Sequence, residues 1–404
     1  MNTSVVVTGL GVASPNGLGA KDYWAATLSG KSGIGRITRF DPMQYPAQLA
    51  GEIDGFKAEE HLPQRLLPQT DRMTRLALAA TDWALNDAGV KPGSFSEFDM
   101  GVVTASSSGG FEFGQRELQK LWSQGSQHVS AYQSFAWFYA VNSGQISIRN
   151  GMKGPSSVVV GDQAGGLDAL AQARRQIRKG TPLIVSGSID ASICTWGWVA
   201  QLTSGRLSTR ADPARAYLPF DAEADGHVPG EGGAILILET EAAARSRGAK
   251  IYGEIAGYGA TFDPKPGSER APGLRKAIEL ALADAHVEAG DIDVVFADAA
   301  AIPELDRIEA EALARVFGPH GVPVTAPKTM TGRLYSGAAP LDVATALLSI
   351  QEGLVPPTIN VAALVDYDLD LVTAHSRSAE VRTALVLARG YRGFNSALVV
   401  RAVN

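Results

Sequence analysis

A strand, a tight turn and the first turn of a helix form a common mount for a nucleophile. The free N–H groups and positive dipole end of the helix stabilise negative charge placed there. Residues 156–180, SSVVVGDQAGGLDALAQARRQIRKG, spell that arrangement. Val158, Val159 and Val160 form a β-branched run, Gly161–Asp162 makes a bend, and Leu167, Leu170 and Ile177 mark a helical face. The tip holds Gln163. A carboxamide donates and accepts hydrogen bonds but neither ionises nor attacks a carbonyl. The mount is present without its reactive group.

No other residue supplies an evident replacement. His61, His128, His227, His286, His320 and His375 show no paired metal-ligand spacing, so solvated or core positions are expected for all six. Cys194 lies among apolar neighbours and reads as a buried thiol. Ser106, Ser107 and Ser108 offer hydroxyls, with no histidine close in sequence to activate one. Asp221, Asp225 and Glu231 are interleaved with glycines, a pattern that favours loop-closing contacts to backbone N–H groups over metal ligation. Gly9-x-Gly11 follows an apolar run, as in dinucleotide sites, but Pro15-Asn16-Gly17 stops the helix such a site requires. A tight strand-to-helix turn is expected there instead. Neither a metal nor a cofactor is expected.

The elements that position Gln163 follow an α/β pattern, strand-like runs alternating with helical ones. Strands are expected at Ser4–Thr8, Met100–Thr104, Val158–Val160, Leu183–Ser186, Ala234–Leu238, Val294–Ala297, Ala384–Ala388 and Ala397–Arg401. Amphipathic helices are expected after Asp71 (ending at Gly89), from Gly273, and from about Leu341 to Gly353. The chain also repeats itself. MGVVTASSSGG answers DVVFADAAAI, VVVGDQAGGLDALAQARR answers VTAPKTMTGRLYSGAAPLDVATAL, and PLIVSGSID answers TALVLARGY. Two similar halves, 1–250 and 251–404, account for the length of 404 residues, which exceeds the usual size of a single core.

Composition narrows the class. Hydrophobic residues at 45% and charged residues at 19% fit a well-packed soluble chain. A net charge of −6 argues against nucleic acid or an anionic membrane as the principal partner. The single cysteine excludes an internal disulfide, and no signal-peptide pattern is read at the N-terminus; a cytoplasmic location is expected.

The pieces VVVTGLGVASPNG, GPSSVVVGDQAGGLDAL, PFDAEADGHVPGEGGA, PKTMTGRLYSGAAPLD and GYRGFNSALVV together resemble the β-ketoacyl synthases of the thiolase-like fold, over essentially the whole chain. DQAGGLDAL and SFAWFYAVNSGQISIRNGMKGPSS resemble, more narrowly, the chain length factors of type II aromatic polyketide synthases. The resemblance implies two α/β halves forming an αβαβα five-layer sandwich. It implies no chemistry at the helix tip, because Gln163 stands at the cysteine position, Asp298 and Arg333 at the two histidine positions, and only Lys328 and Asn395 keep the family's residue type. It also implies a catalytic ketosynthase α subunit as heterodimer partner, an acyl carrier protein, and a growing polyketide chain held in a shared tunnel.

By the same resemblance Phe111, Gly114 and Leu118 face that tunnel from one side of a helix, with Trp196 and Gly197 nearby; a core stripe is the competing reading. Gly114, with only Leu118 beside it, predicts a roomy end wall and a longer product than bulky residues there would allow. Phe135, Trp137 and Phe138 are expected at the subunit interface, where aromatics are enriched. Asp298 and Arg333 are expected to form a buried ion pair, or else both to face water. A second functional reading is a malonyl-thioester decarboxylase, in which Gln163 serves a priming step that needs no covalent nucleophile.

Overall fold

The computed structural model describes residues 3–91, 93–265 and 267–403. Apolar runs form five principal strands in the first half: β1 (Val5–Ser14), β2 (Met100–Ser106), β3 (Ser156–Val160), β4 (Leu183–Asp190) and β5 (Gly232–Thr240). Five more follow in the second: β6 (Gly253–Phe262), β7 (Val294–Phe296), β8 (Pro323–Thr325), β9 (Thr383–Arg389) and β10 (Phe394–Arg401). The strand orders are β3-β2-β4-β5-β1 and β8-β7-β9-β10-β6. In each half the first three strands of that order run parallel, and the next two joints are antiparallel. The topology is thus the same twice. The two sheets meet where β1 pairs β6, Val6 opposite Glu254 and Val7 opposite Gly253.

The principal helices are α1 (Arg72–Asp87), α2 (Phe111–Gln124), α3 (Val141–Asn150), α4 (Gln163–Arg178), α5 (Thr195–Leu202), α6 (Leu274–Ala285), α7 (Pro303–Phe317) and α8 (Ala338–Glu352). Alternate strand residues face opposite layers, as the period of two requires. Val102, Val185 and Ile237 pack on α1 and α3, whereas their neighbours Val103, Ile184 and Leu236 pack on α4 and α8. In the second half Val294, Val386 and Leu398 face that same central layer, and Val295, Leu385 and Val399 face α6 and α7. Three apolar clusters, the central one packed against both sheets, therefore join helix, sheet, helix, sheet and helix, the five layers expected.

Several local expectations need correction. Gly9 and Gly11 do not form a turn. They lie inside the ten-residue strand β1, where a Cβ would collide with the carbonyl oxygens of Ala84 and Ala80 on α1. The second half repeats the device, with Gly257 and Gly259 on β6 under Ala281 and Ala277 of α6. Those glycines hid β6 from the strand reading, since glycine is normally depleted in strands. Helix α8 is not amphipathic: residues 338–349 are buried on every face, because the helix lies between two sheets. Helix α1 starts as expected, the Asp71 side chain accepting from Met73 N, and Gly89 ends it with φ +65°.

Candidate functional site

Helix α4 places Gln163 at its first position, 1% exposed, at the end of the crossover from the edge strand β3. Sheet registry brings two other loops to the same point. The loop after β7 carries Asp298, and the loop between β8 and α8 carries Lys328, Arg333 and Tyr335. Here the expected ion pair is present and buried. Arg333 Nη2 lies 2.9 Å from Asp298 Oδ1 and 3.0 Å from Oδ2, while Nη1 donates to the Asp298 carbonyl at 2.9 Å. Nη2 also donates to the Arg389 carbonyl at 3.0 Å. The Gln163 amide orientation that satisfies both neighbours puts Oε1 2.6 Å from Arg333 Nε and Nε2 2.7 Å from the Tyr335 carbonyl. Every nitrogen of the guanidinium and both ends of the carboxamide have partners.

The surrounding groups are closed in the same manner. Asp298 Oδ1 accepts from Arg389 N at 2.8 Å, and Glu309 on α7 accepts from Asp298 N and Ala299 N. That carboxylate holds a loop in which Ala299 and Ala301 adopt φ of +51° and +54°, a conformation that non-glycine residues rarely take. Lys328 Nζ bonds Asp342 at 2.8 Å and donates to the Ala297 carbonyl. Asn395 donates to Asp263 Oδ1 at 2.8 Å and accepts from Arg389 Nε. Burial opposes the charge on Arg333, but Asp298 outweighs it and holds the guanidinium firmly protonated. Burial raises Glu309, and the Asp298 charge adds to the rise.

His227 was expected in the core or in water. It is buried, at the wall of a cavity, with Nδ1 unpartnered among the described residues. Burial and the nearby Arg333 and Arg206 charges depress it well below the usual histidine range, so it stays neutral. Sequence reasoning also missed Tyr335, Arg389 and Glu309. The cavity, about 1160 Å³, runs from Asp162, Asp298 and Arg333 to Phe111 and Gly197. It joins the vacated site to two of the wall candidates.

At that wall Phe111 stacks on Trp196, ring centroids 4.6 Å apart and planes within 7°. The backbone N–H of Trp196 donates to Gln115 Oε1 at 2.7 Å, fastening α5 to α2. Helix α2 buries Phe113, Gly114 and Glu117, while Phe111 and Leu118 are half-buried; the core stripe therefore does not run through 111, 114 and 118. The roomy wall expected at Gly114 is not found, because a Cβ there would lie 3.1 Å from Trp196 Cζ3 and 3.5 Å from Trp137 Cβ. The indole fills the space the glycine leaves. Gly197 is needed where α5 turns against the Ser192 carbonyl. Trp198 is fully buried, its Nε1 donating to Ala47 O. Trp137 and Phe138 are exposed, and Phe135 is half-buried against the α1–α3 core.

Fold and site together define a condensing-enzyme architecture whose nucleophile position is occupied by a closed hydrogen-bonded network. The chain belongs to the β-ketoacyl synthase family, matching its N-terminal domain over residues 2–244 and its C-terminal domain over 252–362. It is 62% identical over 400 residues to the tetracenomycin polyketide synthase ketoacyl synthase beta subunit of Streptomyces glaucescens, covering 98% of each chain. The ishigamide ketosynthase/chain length factor superposes with a TM-score of 0.92 at 28% identity, covering 100% of both chains. A type II polyketide ketosynthase in complex with its acyl-carrier protein (AntDE:AntF) superposes with a TM-score of 0.90 at 28% identity over 100% of both.

Proposed function

We infer that this chain is the chain length factor of a type II polyketide synthase, a subunit that pairs with a catalytic ketosynthase and shapes the space its product grows into. One observation carries the reading: Gln163, Arg333 and Asp298 saturate one another at the position where a condensing enzyme needs a free thiolate and two histidines. Loss of the nucleophile from a catalytic unit costs on the order of a millionfold in rate. The decarboxylase reading loses support from the same geometry. The Gln163 oxygen and one of the two Nε2 hydrogens are engaged, and the neighbouring guanidinium is already paired with Asp298, so the charge an enolate oxygen would need is neutralised in place.

The partner surface is supported by an exposed sheet edge. Strand β3 borders its sheet with Val160 56% exposed, and Phe138, 50% exposed, lies in the aromatic segment expected at the interface. Unpaired edge strands and exposed aromatic patches are features that association covers. Phe135, Trp137 and Phe138 are assigned to that interface, and Phe111, Gly114, Leu118, Trp196 and Gly197 to the tunnel wall. A cytoplasmic location belongs to the same proposal; among the described residues no helix is long and apolar enough to cross a membrane.

The test is co-purification with a candidate ketosynthase, followed by supply of malonyl-loaded acyl carrier protein. Labelled carbon should become covalently attached to the partner and not to this chain. Gln163→Cys should restore no condensation by the isolated chain, since positions 298 and 333 remain Asp and Arg. Elongation by the purified chain alone would refute the assignment.

A further inference from the structure

The wall helix α2 is held at its start by a residue forty positions away. Asp71 is fully buried at the head of α1. Its Oδ1 accepts from Met73 N at 2.8 Å, which is the N-cap contact of α1. Its Oδ2 accepts from Phe113 N at 2.7 Å, one of the open N–H groups in the first turn of α2. A single carboxylate thus caps two helices. The approach is close: a Cβ on Gly110 would lie 2.9 Å from Asp71 Cβ and would strike the Ala136 carbonyl. Gly110 N in turn donates to the Trp137 carbonyl at 3.1 Å, so the same corner touches the segment assigned to the subunit interface.

A cap for α1 alone needs one oxygen, which serine or threonine supplies. The second oxygen is what α2 uses. No ion pair to Asp71 is found among the described residues; Glu112, Arg116 and Arg75 are the charged groups that act on or feel it. Burial, with Glu112 adding to it, pushes the carboxyl up to about 6. An acid is kept here although water exclusion disfavours its charge.

We propose that Asp71 is a positioning residue for chain-length control, fixing the first turn of α2 and through it the Phe111–Trp196 stack at the cavity. This rests on the assignment of Phe111, Gly114 and Trp196 to the tunnel wall. Asp71→Ser separates the two roles, because one hydroxyl keeps the α1 cap but does not also reach Phe113 N. In the reconstituted heterodimer with acyl carrier protein and malonyl donor, the ratio of off-length to main product is expected to rise roughly fivefold. Asp71→Asn, which keeps one acceptor and presents an amide donor to the other N–H, is read in the same way should the serine variant fail to assemble. Trp196→Ala is the control for the wall itself. A product ratio that changes in Trp196→Ala but not in a folded Asp71 variant overturns the positioning role alone. A ratio unchanged in both overturns the wall assignment with it.

Discussion

Arg333 and Asp298 are each costly to bury, and each is tolerable only because the other is there. A single nitrogen, Nη2, reaches both carboxylate oxygens at 2.9 and 3.0 Å, and the guanidinium also satisfies two carbonyls and the Gln163 amide. Arg333→Ala is therefore expected to destabilise the chain by about 3–5 kcal/mol, because a carboxylate is left without its countercharge. Urea unfolding of the variant checks this, and a change within about 0.5 kcal/mol would show that the pair is not coupled. Gln163, Asp298 and Arg333 were legible in the sequence because their types contradict the motif that surrounds them. Arg389 and Tyr335 were not, because they meet the network largely through main-chain atoms: the Arg389 N–H and carbonyl, and the Tyr335 carbonyl. Any residue type has those atoms, so no side-chain pattern announces them. Glu309 was missed for a related reason, since it holds two backbone N–H groups of a loop and reads in sequence as one more charge on a helix.

At the scale of the element, the sequence signal was strongest where periodicity was clean and weakest where backbones touch. Gly9-x-Gly11 and Gly257-x-Gly259 look like turn residues until the alanines of α1 and α6 are seen against them. Helix α7 offers a pH test. Asp306, buried near its start, accepts from Phe220 N at 2.8 Å through Oδ2, while Oδ1 has no full hydrogen bond among the described residues. Burial, assisted by the Glu309 and Asp298 charges, raises its pKa from the ordinary 3.8 to about 7. A folded-state pKa above the unfolded value means the native chain holds the proton more tightly. The associated stability is complete below about pH 4 and is lost as pH rises through about 7, up to about 4 kcal/mol for a group this buried. Asp306→Asn keeps the acceptor for Phe220 N and cannot ionise. Its urea midpoint should match the wild type near pH 4 and exceed it at pH 8. Equal midpoints at both pH values would show that Asp306 does not carry this dependence.

Across the whole molecule, duplication explains why so much of the architecture was readable: a strand order repeated in both halves leaves its pattern twice in the sequence. What one chain does not display is its complement. The second sheet carries Asp370–Leu371 beyond β8, whereas the first ends at β3 with its outer edge open. That edge strand is exposed at both ends, and Trp137 and Phe138 stand in the segment that abuts the start of α2. Aromatic anchors near the middle of an interface commonly dominate its affinity, each truncation costing about 2 kcal/mol or more. Trp137→Asp is therefore expected to weaken association with the ketosynthase at least roughly tenfold, the equivalent of about 1.4 kcal/mol. Trp137 is 37% exposed, so circular dichroism and melting of the isolated variant are compared with the wild type to separate lost association from lost packing. Titration of labelled partner into each protein measures the difference. An unchanged affinity, with fold intact, would place the partner on another face and would leave the β3 edge and its aromatics without the role given to them here.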